Sequence, residues 1–310
     1  MNRANEVKLS AVALMGATAT GKSSLALQVA KAAQSSIICC DSMQLYRGLD
    51  IGTAKPTADE RSEVSHFLVD CCELPDHYSA ARWAEEARLK IASENAAGRI
   101  PLIVGGTGLY LKALLEGFAD IPDEKPEIRK KFEMMHWVEG VEGLYGYLQQ
   151  HDAVMAERLK AGDSQRIMRA LCVLESTGRS LADWQAEASA QVVAIDCPVF
   201  VLDVEREILR QRIADRFQLM MEKGWLDEVR WLAGLNLVDT HPAMRAVGYR
   251  QLLDHLKGEL TLEKAISDAV TATRRYAKRQ VTWFNHQTPD ALHGSADQLQ
   301  EKIMEQLQNR

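Results

Sequence analysis

The chain of 310 residues is 46% hydrophobic and 26% charged, which allows one large core with a satellite domain and excludes an intrinsically disordered polypeptide. Its formal net charge of −6 excludes a global basic field, so a polyanionic partner needs a local basic patch. The six cysteines fall as Cys39-Cys40, Cys71-Cys72, Cys172 and Cys197, without CxxC spacing. That pattern predicts reduced, buried thiols in a cytoplasmic protein.

The run AVALMGATA is too short to span a bilayer and leads straight into GKSS, so neither a targeting segment nor a membrane span is expected. In chain order, LSAVALM predicts a strand, Lys22 toward Gln34 a helix, and SSIICC and HFLVD two more strands. Ser79 to Ala97 follows as a helix and IPLIV as a strand. This alternation predicts an α/β fold with stacked βαβ units, and the continuously apolar runs predict strands covered on both faces. After Phe118 the Pro-rich, charged ADIPDEKPEIRKK marks a change to a helical insert. PEIRKKFEMMHWV, GLYGYLQQHDAVMAERL and SQRIMRALCVLESTGRS are its helices, the last stopping at a glycine. QVVAIDC and VFVLDV return to strand character, and EREILRQRIADRFQLMMEKG is a long helix. The last hundred residues read as all-helical, with RAVGYRQLLDHL and AISDAVTATRRYAKRQVTWF the clearest elements. The expected division is a core of 1–118 and 195–310 around an insertion of 119–194.

GATATGKS, Gly16 to Ser23, has the spacing of a phosphate loop. Gly16 and Gly21 permit the turn that aims N–H groups at phosphate oxygens, Lys22 is a mobile cation, and the Ser23 hydroxyl is placed for Mg²⁺. Asp41 ends the second strand and faces the loop as a base, a magnesium partner, or merely a turn-capping aspartate. VGGTGLY closes another strand on the same side and offers Thr107. Arg212 and Arg216 share one helix face, where they can clamp a diphosphate. Arg274, Arg275, Lys278 and Arg279 form a cationic sector, read either as a nucleic-acid contact or as a solvated face.

GATATGKS, DSMQLYRGLDIGTAKP, GRIPLIVGGTGLYLKALLEG, SQRIMRAL, RIADRF, RAVGYRQ and ATRRYAKRQVTWF occur in the order found in tRNA dimethylallyltransferases, and the chain resembles that family from about Ala11 to Phe284. The resemblance implies a P-loop NTPase-like core with a smaller all-helical insertion, and Mg²⁺ as cofactor. The implied reaction moves a dimethylallyl group from dimethylallyl diphosphate to N6 of adenosine-37, 3′ of the anticodon, in tRNAs reading codons that begin with U. It further implies Gly16, Ala17, Thr18, Ala19, Thr20, Gly21, Lys22 and Ser23 as the diphosphate loop, with Ser23 the metal ligand. Asp41 matches the general base, Thr107 a contact to the target nucleotide, and Arg216 an arginine at the diphosphate. Family segments that contact tRNA match Asp41, Ser42, Met43, Gln44 and Arg129; Gln165, Arg166, Ile167, Met168 and Arg169; and Arg245, Ala246, Val247, Gly248, Tyr249 and Arg250. Arg275 and Lys278 on the basic helix join that surface. The expected partners are the tRNA anticodon stem-loop and the prenyl donor, and the expected state is a monomer. The chain departs from the family pattern at Asp152-Ala153, Gly162-Asp163, Cys172 and Asn285. A small-molecule or nucleotide kinase would use the same loop and facing aspartate, and a nucleotide-dependent RNA-binding switch would use the same basic surfaces.

Overall fold

The apolar runs become strands where helices seal both of their faces. The computed structural model describes residues 9–119, 121–122, 124–190 and 193–308. Its strands are β1 (Leu9–Ser10), β2 (Val12–Gly16), β3 (Ile37–Cys40), β4 (His66–Phe67), β5 (Leu102–Gly105), β6 (Ile195–Asp196), β7 (Val199–Leu202) and β8 (Leu292–Gly294). Six of them form one sheet in the order β4-β3-β5-β2-β7-β8, and β1 pairs with β6 beside it. Every pairing is parallel.

β2, β3 and β5 are buried at every residue. The period of two divides their side chains between two cores. Val12, Leu14, Leu102 and Val104 meet the helices Lys22–Ala32 and Ala296–Gln308 through Leu25, Val29, Leu299 and Ile303. Ala13, Met15, Ile38 and Ile103 face the opposite side, where Trp83, Ala87 and Ile91 of the helix Ala80–Ala96 and Phe284 of the helix Leu262–Gln287 pack. The register sets Cys40 beside Gly105, Gly105 beside Met15, and Gly16 beside Leu202. The carboxyl ends of four strands therefore lie level, and the loops leaving them share one rim.

The chain divides into two units, Met1–Leu115 with Val193–Arg310, and Glu116–Val192. The second unit holds the helices Pro126–His151, Ala153–Arg158, Ser164–Thr177 and Leu181–Ala190 around Phe132, Leu144, Leu148, Ile167 and Leu171. Asp152 and Asp163 cap two of these helices, accepting from the N–H groups of Met155 at 3.1 Å and Arg166 at 3.2 Å. The departure at Cys172 is a core position, fully buried. Gly178, with φ 71°, stops the helix Ser164–Thr177.

Four sequence expectations are corrected here. The last hundred residues are not all-helical, because Leu292–Gly294 pairs with β7; this edge strand is short and largely exposed, so it carries no apolar run. The segment GLYGYLQQHDAVMAERL is interrupted at Asp152, and its first part belongs to a longer helix, non-helical only at Gly140, that begins at Pro126. Of QVVAIDC, only Ile195–Asp196 is strand, and Gln191 and Val192 lie outside the described residues. The six cysteines are free, but Cys71 and Cys197 are half-buried rather than buried. No helix among the described residues is long and apolar enough to cross a membrane.

Candidate active site

β2 ends at Gly16, and the chain turns through Ala17 to Gly21 into the helix Lys22–Ala32. Ala19 at φ 65° and Gly21 at φ 96° take the left-handed backbone that reverses the chain within a few residues. Gly21 is the N-cap and brings no capping side chain, so the first-turn N–H groups stay available to an anion. The Ala17 carbonyl accepts from the Thr20 hydroxyl at 2.9 Å and from Lys22 Nζ at 3.1 Å, folding the lysine back over its own loop. From the helix Arg206–Glu222, Arg212 Nη1 donates to the Thr20 carbonyl at 2.9 Å. Arg212 thus braces the loop, whereas Arg216, one turn later, lines the cavity in front of it.

Asp41 follows β3 directly. Its Oδ1 accepts from the N–H groups of Met43 at 2.9 Å and Gln44 at 3.4 Å, so the turn-capping alternative is realised on one oxygen. Oδ2 makes no hydrogen bond among the described residues, and Asp41 lines the cavity. Capping therefore aims the carboxylate and leaves half of it free to accept a proton. Thr107 follows β5; its hydroxyl oxygen accepts from Ser42 N–H at 3.1 Å, and its own N–H donates to the Cys40 carbonyl at 3.1 Å. It stitches the Asp41–Ser42 turn to the neighbouring strand and is not part of the cavity wall.

Burial drives the Lys22 ammonium down from 10.5 to about 8; Asp41 opposes the shift and Arg216 reinforces it. Burial also lowers Arg216, with Asp41 again opposing. Lys22, Arg216 and Asp41 thus converge on a partly dry space that Arg245, Arg279 and Glu60 also border, an excess of cations that favours a bound polyanion. The cavity, about 460 Å³, runs from Lys22, Ser23, Asp41 and Arg216 to an apolar wall of Ile213, Phe217, Met220 and Trp225. Phe217 and Trp225 pack with ring centroids 4.7 Å apart.

The segment Asp41 to Lys55 forms one rim. Gln44 Nε2 donates to the Thr53 carbonyl at 3.0 Å, and Cys39 Sγ to Gln44 Oε1 at 3.2 Å. Buried Lys55 donates to the Tyr46 carbonyl at 2.7 Å, Asp50 at 2.6 Å and Asp70 at 2.5 Å. Glu228, which sequence reasoning overlooked, accepts from the N–H groups of Asp50, Ile51 and Gly52 at 2.8, 2.7 and 3.1 Å and from the Tyr249 hydroxyl at 2.5 Å. One carboxylate thereby joins the DSMQLYRGLDIG segment to RAVGYR.

Met43, Gln44, Arg245, Ala246, Val247 and Tyr249 line the cavity. Arg250, Arg275 and Lys278 are exposed, whereas Tyr276, Arg279 and Gln280 of the same helix line the cavity. The sequence signal for these last residues is their spacing: Thr273, Tyr276 and Gln280 recur at one-turn intervals on one face. In the second unit Arg129 pairs with Glu124 at 2.9 Å and Glu133 at 3.0 Å, Arg169 pairs with Glu124, and Arg166 lies 3.4 Å from Asp163. Ile167 is fully buried there, Met168 is half-buried and Gln165 is exposed.

Residues 44–287 match the IPP transferase family. The chain is 44% identical to a tRNA dimethylallyltransferase of Azorhizobium caulinodans, over 93% of this chain and 92% of that one. It is 42% identical to one of Xylella fastidiosa, over 98% and 99%. Its fold is similar to the crystal structure of the tRNA isopentenylpyrophosphate transferase from Bacillus halodurans, with TM-score 0.70 and 32% identity over 97% of this chain and 98% of that one. A eukaryotic dimethylallyltransferase, crystallised acting on tRNA, matches with TM-score 0.76 and 26% identity over 93% and 74%.

Proposed function

The chain belongs to the IPP transferase family, and from the chemistry of its site we propose that it transfers a dimethylallyl group from dimethylallyl diphosphate to N6 of adenosine-37 in tRNAs reading codons that begin with U. One observation carries this reading: a phosphate loop, a half-free carboxylate and an apolar wall border the same cavity. A kinase needs the first two; the prenyl chain accounts for the third.

The diphosphate sits on the first-turn N–H groups and Lys22, with Arg216 across from it, so these groups are already oriented where charge grows as the C–O bond breaks. N6 of the adenine forms the new C–N bond and gives its proton to Asp41, held one residue beyond β3. The target base is stacked in the anticodon loop and must be flipped outward, and splayed bases are read by stacking and edge contacts. Tyr276 and Arg279, whose guanidinium lies 5.6 Å over the tyrosine ring, offer such a surface. Arg245, Arg250, Arg275 and Lys278 supply phosphate contacts, and the helical unit adds Arg129, Gln165, Arg166, Met168 and Arg169, whereas Ile167 is sealed in its core and makes none.

The Ser23 hydroxyl makes no hydrogen bond among the described residues, and no group of three His, Cys, Asp or Glu that could hold a metal occurs among them. That donor set fits a Mg²⁺ held chiefly by diphosphate oxygens and water, with Ser23 as its protein ligand. A Mg²⁺ held by Ser23 would neutralise charge on the leaving diphosphate. We place the enzyme in the cytoplasm, as a monomer.

Incubation with unmodified tRNA and either dimethylallyl diphosphate or ATP tests the reading. Prenylated adenosine is expected from the first mixture; phosphoryl transfer without prenylation would contradict it.

A further inference from the structure

We infer that Gln280 is a positioning residue that sets the distance between the diphosphate loop and the turn carrying the proton acceptor; the inference rests on the reaction assigned above. Gln280 is 7% exposed, and its carboxamide lies between two loops that come from different strands. Oε1 accepts from Thr18 N–H at 2.9 Å, and Nε2 donates to the Gly106 carbonyl at 2.9 Å. Thr18 presents a donor and Gly106 an acceptor, so one orientation of the amide satisfies both. Of the side chains of this length that are uncharged in water at pH 7, only a carboxamide can accept on one side while donating on the other.

The connection continues beyond Gly106. The adjacent Thr107 takes Ser42 N–H at 3.1 Å, and Ser42 follows Asp41. Three hydrogen bonds therefore join the loop that holds the donor to the carboxylate that takes the proton. Tyr276, one turn earlier on the same helix, also borders the cavity, which anchors the amide on a rigid element rather than a loop. Gly106 fits this contact, because a Cβ there would lie 2.3 Å from Gln280 Nε2.

Binding and turnover then respond differently. Thr18 N–H is already occupied by Gln280, so it is a structural bond and not a donor to the diphosphate. Loss of the amide removes no anion ligand but frees the two loops to drift, and a misplacement of about 1 Å costs roughly 100-fold in rate.

The test uses the full chain with dimethylallyl diphosphate, unmodified tRNA and inorganic diphosphate. Gln280→Met keeps the length and removes both hydrogen bonds. Its single-turnover rate at saturating substrates is expected to fall roughly 10- to 100-fold, with dissociation constants for inorganic diphosphate and tRNA within about threefold of the parent's, as both hydrogen bonds removed are to the protein's own backbone. The Thr18 amide should exchange its hydrogen faster in this variant. Gln280→Glu is the second probe: protonated, its carboxyl both accepts and donates, but ionised it only accepts and opposes the Gly106 carbonyl. Its rate relative to the parent should rise as pH falls from about 8 to 5.5. Lys22, Asp41, Glu60, His66, Arg216, Arg245, Tyr276 and Arg279 border the same cavity in both proteins, and taking the ratio to the parent removes the parent's own pH dependence. A parental rate in Gln280→Met, a loss confined to affinity, or a flat Gln280→Glu ratio overturns the inference. Unchanged Thr18 exchange in Gln280→Met overturns it independently of activity. If the parent itself transfers no prenyl group, the assigned reaction fails instead, and Thr18 exchange still decides the role of the amide.

Discussion

Lys22 gives the site a measurable pH signature. Burial holds its ammonium near a pKa of about 8, against 10.5 for a free lysine, while Asp41 opposes and Arg216 and the neighbouring Cys39 and Cys40 share the field. A diphosphate binds the charged form, so in the free protein this charge is present at pH 7 and lost as pH rises through 8. If only the protonated lysine binds, the apparent Kd grows by the factor 1 + 10^(pH − 8), or about tenfold between pH 7 and pH 9. Dimethylallyl diphosphate is the right titrant, because the last ionisation of such an ester lies near 6 and is complete over this range. Calorimetry in buffers of different ionisation enthalpy should show proton uptake on binding above pH 8 and little at pH 7. Lys22→Met should bind weakly at both pH values and take up no proton. An affinity that stays flat from pH 7 to pH 9 in the parent protein would refute the assignment of Lys22 as the buried cation of the diphosphate site.

Asp41→Asn keeps an oxygen for the Met43 and Gln44 amides but cannot take a proton; transfer should fall roughly 10²- to 10⁴-fold, with tRNA affinity nearly unchanged in a filter-binding titration. Neutralising exposed Arg275 and Lys278 should make the dependence of log K on log salt shallower by about 1.4 to 1.8 if each meets one phosphate; an unchanged slope marks them as a solvated face. Glu228→Ala strands three backbone N–H groups and the Tyr249 hydroxyl, a loss on the order of 3 kcal/mol that urea unfolding would register as a lower midpoint.

The strands were legible where burial is complete, because Val12–Gly16, Ile37–Cys40 and Leu102–Gly105 are apolar runs bounded by turn residues. Leu292–Gly294 was not, since an exposed edge strand of three residues needs no apolar pattern. In the site, the phosphate loop reads directly from glycine spacing and Lys22, and its geometry follows from local backbone. RxxxR spacing could not distinguish Arg212 from Arg216, because the choice depends on where the helix docks: one meets the Thr20 carbonyl and the other borders the cavity. Gln280 and Glu228 escaped for a related reason. Their partners lie 262 and 178 residues away in sequence, and a lone glutamine or glutamate on a helix carries no sign of a distant acceptor or donor. Reading the basic helix by its charges drew attention to Arg274, Arg275, Lys278 and Arg279, of which Arg279 borders the cavity, beside Thr273, Tyr276 and Gln280.

The most direct measurement combines purified protein, dimethylallyl diphosphate, Mg²⁺ and tRNA lacking the modification, followed by nuclease digestion and mass spectrometry of the fragments. Transfer by the proposed route gives N6-(dimethylallyl)adenosine at position 37, one diphosphate released per modified adenosine, and almost none of either with Asp41→Asn. Unmodified adenosine at that position, or prenylation undiminished in Asp41→Asn, would contradict it.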